Sequence, residues 1–135
     1  MNMVSNLTPN HCLITGGPRG IGRATALLAA RSGYDISIVG ITKASVHAKS
    51  LADEIVALGR RAVILQGDMS NEDDISLVFD QAVKSLGPLT GLVNAAGVGY
   101  TSRASEFDGS ELTRLMAVNV IGLMLCCREA TLRMS

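Results

Sequence analysis

The stretch that decides the fold is Thr15-Gly16-Gly17-Pro18-Arg19-Gly20-Ile21-Gly22, which follows a short apolar run and precedes a helical pattern. Its glycines let the chain turn sharply, and they let backbone N–H groups approach a phosphate at the N-terminus of a helix. The third glycine also permits close packing of that helix on the preceding strand. The spacing is G-x-x-x-G-x-G rather than G-x-G-x-x-G, but a position between a strand and a helix is typical of dinucleotide-binding loops. The stretch therefore predicts a site for a dinucleotide pyrophosphate.

These glycines have two other interpretations. Residues 17–24 have the frame of a P-loop, but Arg23 and Ala24 stand where a P-loop needs its Lys and its hydroxyl. We therefore set the P-loop aside. The glycines could also form nothing more than a tight turn, and that alternative stays open at this point.

Four short apolar runs, about 25 residues apart, indicate the architecture around the loop; they are residues 12–15, 36–39, 62–65 and 89–93. The runs are continuous rather than alternating, which is typical of strands covered on both faces. Each gap is long enough for one helix and two loops, as in a βαβ unit. The sequence therefore predicts an α/β fold with a doubly wound parallel (Rossmann) sheet and the strand order 3-2-1-4. Residues 1–135 would then be the N-terminal portion of one such domain.

The segments between the runs predict helices with apolar faces turned inward. The inward residues expected for the first three helices are Ile21, Ala24 and Leu28; Leu51, Ile55 and Leu58; and Ile75, Phe79, Ala82 and Leu86. The first helix is expected over 20–33. A capping box of Ser70 and Asp73 is expected to begin the third, and Gly59 and Gly87 are expected to end the second and the third.

The last segment predicts a long helix that Asp108 caps, with Glu111 as the reciprocal partner and Phe107 and Leu112 as a hydrophobic staple. Its expected inward face is Leu112, Met116, Asn119, Leu123, Cys127, Ala130 and Met134. Asn119 is polar in the middle of this face, where a buried amide without partners costs roughly 1–3 kcal/mol. It is therefore a candidate functional residue, or else a structural amide bonded to a strand end.

Composition excludes several classes of function. Twelve Lys and Arg residues balance twelve Asp and Glu residues, and aromatic residues make up 3% of the chain, which argues against a nucleic-acid partner. The longest apolar stretch, 117–127, is too short to span a bilayer, and the N-terminus has no secretory signal. The three cysteines lack metal-ligand spacing and are expected to be reduced. We therefore expect a cytoplasmic protein with no metal site, no membrane segment and no nucleic acid.

Four motifs in the same order resemble those of the short-chain dehydrogenase/reductase family, from about residue 10 onward. They are the loop at 15–22, Gly67-Asp68-Met69 after the third run, Asn94-Ala95-Ala96-Gly97 after the fourth, and Val118-Asn119-Val120 in the long helix. Ala95 replaces the second Asn of the family's Asn-Asn-Ala-Gly motif. The match covers nearly the whole chain, and four motifs together are far more specific than any one of them.

The resemblance implies a cofactor site and a catalytic residue. The residues that it places at the cofactor are Gly16, Gly17, Pro18, Arg19, Gly20, Ile21, Gly22, Asp68, Met69, Asn94, Ala96 and Gly97. Asp68 would accept a hydrogen bond from the adenine amino group, or else simply start a helix beside Ser70. Asn94 would hold neighbouring backbones open for the cofactor, or be a plain loop amide. Asn119 would belong to the catalytic group and help to hold a proton-relay water.

The end of the second run favours NADP(H) over NAD(H). Members of the family that prefer NAD carry an acidic residue there, whereas this chain continues Gly40-Ile41-Thr42-Lys43. Arg19 and Lys43 can supply positive charge to a 2′-phosphate, and Thr42 can supply a hydroxyl. The alternative is that both basic side chains are solvated.

Catalysis in the family also needs a Ser and a Tyr-x-x-x-Lys pair. Neither Tyr34 nor Tyr100 is followed four residues later by a Lys. We therefore expect the N-terminal portion of an enzyme about twice this length, inactive by itself, whose whole form transfers hydride between NADP(H) and a small-molecule alcohol or carbonyl. A non-catalytic dinucleotide-binding module and a structural remnant are the alternatives. The resemblance also implies a homo-oligomer, a dimer or a tetramer.

Overall fold

A computed structural model describes residues 10–42 and 45–134 and shows a four-stranded parallel sheet in the order β3-β2-β1-β4. The strands are β1 (Asn10–Thr15), β2 (Tyr34–Gly40), β3 (Ala62–Gln66) and β4 (Gly91–Asn94). Thr15 lies opposite both Val39 and Asn94, so the carboxyl ends of the strands align at one edge. The predicted sheet and strand order are confirmed.

Helices cover both faces of the sheet. They are α1 (Gly20–Arg31), α2 (Val46–Ala57), α3 (Glu72–Leu86), α4 (Gly109–Met116) and α5 (Leu123–Arg133), and a π-helical turn, Ala117–Gly122, joins the last two. Cys12, Ile14, Ile36 and Ile38 pack with α1 and α2 on one face. Leu13, Val39 and Leu65 pack with α3 and α5 on the other. Alternate residues of each strand thus enter two separate cores, which explains why the runs are continuously apolar.

The first helix turns a different face to the sheet from the one predicted. Ile21 is 80% exposed and Leu28 is 63% exposed, and Ala24 is exposed as well, whereas Gly22, Ala26 and Ala30 are buried. The helix begins directly behind the glycine loop, and a side chain on Gly22 would overlap the carbonyl group of Gly16. Small residues therefore face the strands because the helix axis lies too close to the sheet for larger ones.

The second and third helices match their predicted faces more closely. Leu51 and Ile55 are buried, but Leu58 follows the last residue of α2 and is exposed. All four predicted residues of α3 are buried. The predicted capping box is wrong, because Asn71 caps α3 by accepting a hydrogen bond from the N–H of Asp74.

The long helix differs from its prediction in the partner of its capping residue and in the face that is buried. Asp108 caps it as expected, but the N–H of Asp108 donates to the hydroxyl of Tyr100 rather than to Glu111. Leu112, Met116, Leu123 and Cys127 are exposed, and the buried residues are Gly122, Cys126, Glu129 and Ala130. The π-helical turn shifts the helical period, and a side chain on Gly122 would overlap the carbonyl of Met69. Because the helix comes this close to Met69 at Gly122, the buried face consists of Gly122 and of residues one and two turns after it.

Gly109–Arg133 is also long and apolar enough to cross a membrane by length and composition, with a mean hydropathy of 1.5 over an 18-residue window. The helical stretch is longer than the apolar stretch 117–127, whose short length predicts that no segment spans a membrane. Core helices of soluble domains satisfy the same criteria, and Cys126 and Ala130 of this helix pack in the core beside α3. The absence of a membrane segment therefore stays a prediction.

The opposite, amino edge of the sheet holds buried polar groups. Asp35 is 2% exposed and accepts hydrogen bonds from the N–H and the guanidinium of Arg61, while Arg60 lies 3.0 Å from the same carboxylate. His11 is fully buried between the Gly87 carbonyl and the Ser37 hydroxyl. These side chains connect β1, β2 and the loops beside them at the end remote from the glycine loop.

Candidate cofactor cleft

A cleft runs along the carboxyl edge of the sheet and consists of two adjoining cavities. The inner cavity, about 340 Å³, extends from the glycine loop to α4, and the outer cavity, about 440 Å³, extends to the loop after β2. Gly16, Gly40, Ile41 and Gly97 line both cavities. Open parallel sheets bind their ligands at this edge, because the chain diverges there to opposite faces.

The glycine loop is shaped by close backbone contacts. Gly16 has φ +64°, and a Cβ there would lie 2.7 Å from the peptide between Ala95 and Ala96. The hydroxyl of Thr15 accepts a hydrogen bond from the N–H of Ala96. The loop therefore rests directly on the segment after β4, and the N-terminus of α1, with N–H groups that have no acceptor within the helix, opens at the same edge. This backbone cradle fits a pyrophosphate in both space and polarity.

The outer cavity is lined by Pro18, Arg19, Thr42 and Ser45 as well as the shared residues, and no Asp or Glu is among the described residues that line it. Arg19 is exposed and immediately precedes α1, in an extended conformation. Its guanidinium and the helix N-terminus give this cavity a positive character. Lys43, which was predicted to act beside Thr42, lies outside the described residues.

The inner cavity contains one acidic cofactor candidate, Asp68. Its Oδ1 accepts hydrogen bonds from the N–H of Ser70 at 2.8 Å and from the hydroxyl of Ser70 at 2.6 Å. These hydrogen bonds lower the pKa of Asp68, so its carboxylate is charged near neutral pH. Asp68 and Met69 both line the cavity, and α3 begins only after Asn71. Asp68 is thus an anchored acceptor in the wall of the cavity and not the cap of α3.

The segment after β4 contributes backbone more than side chains. Ala95, Ala96, Gly97 and Val98 line the inner cavity. The Asn94 side chain is not among the lining groups, and its amide donates to the Cys127 sulfur at 3.5 Å on α5. Asn94 therefore connects β4 to the long helix.

Asn119 lies in the π-helical turn and is satisfied on both sides of its amide. Its Oδ1 accepts from the N–H of Val98 at 2.8 Å, and its Nδ2 donates to the Val98 carbonyl at 2.8 Å. The side chain thus pairs with the backbone of the loop after β4 as a neighbouring strand would, and the catalytic role that the family resemblance implies stays a prediction. These two hydrogen bonds hold the backbone of residues 97–98 in place along the cleft.

The comparison with a family model decides which family this geometry belongs to. The model described as short chain dehydrogenase matches residues 10–135, which include every motif of the cleft. The chain belongs to the short-chain dehydrogenase family. An uncharacterized oxidoreductase, YgfF, of Escherichia coli is 39% identical over 125 residues, which cover 91% of this chain and 50% of the relative.

Other relatives agree with this assignment. The 3-oxoacyl-[acyl-carrier-protein] reductase of Mus musculus is 36% identical over 119 residues, or 88% of this chain and 48% of the relative. A short chain dehydrogenase from Burkholderia cenocepacia, solved in complex with NADP, superposes with a TM-score of 0.90 at 29% identity and covers 96% of this chain and 52% of its own. The chain spans about half the length of the curated relatives it matches.

Of the residues predicted for the cofactor of a short-chain dehydrogenase, the structure brings some into the cleft and leaves others outside it. Those that line it are Gly16, Pro18, Arg19, Thr42, Asp68, Met69, Ala96 and Gly97. Gly17 packs against Ile38 instead, and Gly20, Ile21 and Gly22 form the first turn of α1. These four shape the loop without lining either cavity.

The sequence did not predict several residues that line the cleft of this short-chain dehydrogenase, namely Val39, Gly40, Ile41, Ser45, Gly67, Ser70, Ala95, Val98, Arg114 and Val118. Gly40 and Ile41 could have been found, because they follow the second apolar run at the ligand-binding edge. Arg114 and Val118 could not, because only the packing of the long helix turns that side toward the cavity. Among the described residues, no group of three or more His, Cys, Asp or Glu side chains could hold a metal ion.

Proposed function

We propose that this chain forms the cofactor-binding part of an NADP(H)-dependent oxidoreductase that transfers hydride between the cofactor and an alcohol or carbonyl substrate. The observation that carries the proposal is the distribution of charge in the cleft. The outer cavity beside Arg19, with no Asp or Glu among its described lining residues, and the inner cavity beside Asp68 meet at the backbone of Gly16. A molecule with a pyrophosphate, an additional phosphate and a neutral base matches this arrangement.

Each end of the cleft suits one part of NADP(H). The pyrophosphate would bind at the glycine loop and the N-terminus of α1, where backbone N–H groups and the helix dipole favour negative charge. The 2′-phosphate would bind beside Arg19 and Thr42, with Lys43 next in sequence. The adenine would bind in the inner cavity, where the carboxylate of Asp68 accepts from its amino group. A carboxylate beside a 2′-phosphate would oppose binding, and the outer cavity has none among its described lining residues.

The bound nicotinamide would supply or accept the hydride. The chain's own contribution is to bind and orient that cofactor, and Asn119 holds the backbone of Val98 beside it. Neither Tyr34 nor Tyr100 is followed four residues later by a Lys, so residues 1–135 contain no Tyr-x-x-x-Lys pair. We therefore propose that the 135 residues bind NADP(H) without turning it over.

A second candidate is a dinucleotide-binding module that works without catalysis, since the lining of the cleft accounts for binding alone. The coding sequence downstream of Ser135 distinguishes the two. A Ser and a Tyr-x-x-x-Lys within the next 30 or so residues would support the oxidoreductase, whereas a stop codon directly after Ser135 would support the module.

Arg19→Ala tests the preference for NADP(H). Titration of NADPH and NADH fluorescence should show about tenfold weaker binding of NADPH, because charge-assisted hydrogen bonds to a phosphate are the strong ones. Binding of NADH should change less than threefold. Arg31→Ala is the control, since Arg31 is an exposed arginine at the far end of α1. An equal loss for both dinucleotides would overturn the preference.

We further propose that the protein is cytoplasmic and forms a homo-oligomer. Three free cysteines, of which Cys127 is exposed, agree with a reducing compartment. Exposed apolar residues such as Met116, Met124 and Leu132 agree with a covered surface on the long helix. Light scattering on the purified protein tests the assembly, and a monomer at micromolar concentration would contradict it.

A further inference from the structure

A basic side chain that the cofactor motifs do not include lies in the wall of the inner cavity. Arg114 is on α4, four residues before Val118, and both residues line the cavity with Asp68. Residues four apart share one face of a helix. The cavity is therefore bounded by the loop that carries Asp68 and by a helix face that carries a guanidinium.

The guanidinium of Arg114 is held loosely. Its Nη2 lies 3.2 Å and its Nε 3.4 Å from Oε2 of Glu111, and the two side chains are 50% and 43% exposed. An exposed pair of this kind contributes little stability. Within the described part of the chain, Nη1 makes no hydrogen bond. Arg114 can therefore give donors to a ligand without losing a strong internal contact.

The donors of Arg114 and the acceptors of Asp68 complement one edge of an adenine. Adenine presents an amino group that donates hydrogen bonds, and beside it a ring nitrogen that accepts them. Ionised Asp68 only accepts, and Oδ1 is already occupied by Ser70, which leaves Oδ2 for a donor. A guanidinium only donates.

We propose that Arg114 recognises the adenine of the cofactor by donating to a ring nitrogen while Asp68 accepts from the amino group. This inference rests on the proposed cofactor function. A phosphate is a poorer occupant of the inner cavity, because the carboxylate of Asp68 lines it and Glu111 already neutralises Arg114.

Arg114→Met tests the proposal, because methionine keeps the apolar stem and removes the donors and the charge. The probes are NADPH, adenosine 2′,5′-bisphosphate and inorganic pyrophosphate, titrated against the full chain. We expect about fivefold to tenfold weaker binding of the two adenine-containing probes and unchanged binding of pyrophosphate. Arg31→Met, which alters an exposed arginine outside both cavities, should leave all three affinities unchanged.

Glu111→Gln gives the opposite test, since it releases the guanidinium from its partner. Binding of NADPH should stay the same or tighten by up to about threefold. If instead both Glu111→Gln and Arg114→Met weakened NADPH binding, the ion pair between the two side chains, and not the donors of Arg114, would support binding, and the proposal would be wrong. Equal affinities in Arg114→Met and the unaltered protein would overturn this inference alone, as would an equal loss for pyrophosphate. Failure of the unaltered protein to bind any dinucleotide would overturn the proposed function as well.

Discussion

Gly16 combines a left-handed backbone with a contact that leaves no room for a side chain. A methyl group there would lie 2.7 Å from the Ala95–Ala96 peptide, and φ is +64°. Gly16→Ala should therefore lower the free energy of unfolding by about 3 kcal/mol, from overpacking and backbone strain together. It should also abolish NADPH binding, because the loop must move away from β4.

Urea unfolding measures this effect, and Gly99→Ala is its matched control. Nothing lies within 4 Å of a Cβ at Gly99, and its φ is outside the left-handed region. That variant should change stability by less than about 0.5 kcal/mol. Similar stabilities for the two variants would show that the contact of Gly16 with the segment after β4 does not constrain the loop.

Asn119 pairs with the backbone of Val98 through both ends of its amide. Asn119→Leu removes both hydrogen bonds to Val98 and leaves a backbone donor and an acceptor unpaired. We expect a loss of about 2 kcal/mol in unfolding free energy. Asn119→Asp keeps an acceptor for the N–H of Val98 but sets a second carboxylate oxygen against the Val98 carbonyl, so it should recover little of that loss. If Asn119→Leu were as stable as the unaltered protein, the amide would not be holding the loop.

At the scale of the elements, His11 makes the attachment of β1 to β2 dependent on pH. Its Nδ1 must carry the proton, because the Gly87 carbonyl 2.9 Å away only accepts, and Nε2 accepts from the Ser37 hydroxyl. Burial lowers the pKa of His11 below its ordinary value of 6.5, and this effect outweighs the Gly87 carbonyl and Asp35, which raise it. The folded state therefore binds the proton less readily than the unfolded state does.

The sign of the pH dependence follows from that difference. Stability should be complete above about pH 6.5, the unfolded-state pKa, and should fall as the pH drops below it, because the unfolded state binds the proton first. Urea midpoints at pH 7.5 and 5.5 measure the change. His11→Gln should reduce it, whereas the control His47→Gln, at an exposed position on α2, should leave it unaltered. A pH dependence that persists in His11→Gln would refute the assignment.

Two helices show why an apolar pattern predicts a helix better than it predicts the buried face. In α1 the large residues Ile21 and Leu28 point outward, because the helix backbone lies close to the sheet. Only the small residues Gly22, Ala26 and Ala30 fit between the helix and the sheet. In the long helix a single π-helical turn changes the angle between residues on either side of it. Both effects depend on neighbouring elements that no local pattern contains.

At the scale of the whole molecule, the candidate cofactor cleft and the ion pairs of Asp35 occupy opposite edges of one sheet. The carboxyl edge carries the glycine loop, Asp68 and Arg114, where backbone turns and cavities leave polar groups open. The amino edge carries Asp35 with Arg60 and Arg61. Burial alone would raise the pKa of Asp35, but the hydrogen bonds from Arg61 and the charges of both arginines outweigh it, so the pKa is lowered. The groups that line the candidate cleft and the ion pairs of Asp35 are thus separated by the length of the strands.

The sequence by itself determined the strand order, the position of the glycine loop and the family, because these depend on local features: continuous apolar runs, glycines at the end of a strand and motifs in a set order. Only the tertiary structure decided which side chains face the cleft. It directs Asn94 to Cys127, pairs Asn119 with Val98 and brings Arg114 into the wall beside Asp68. These outcomes depend on how closely helices approach the sheet, and that distance is set by contacts between residues far apart in the chain.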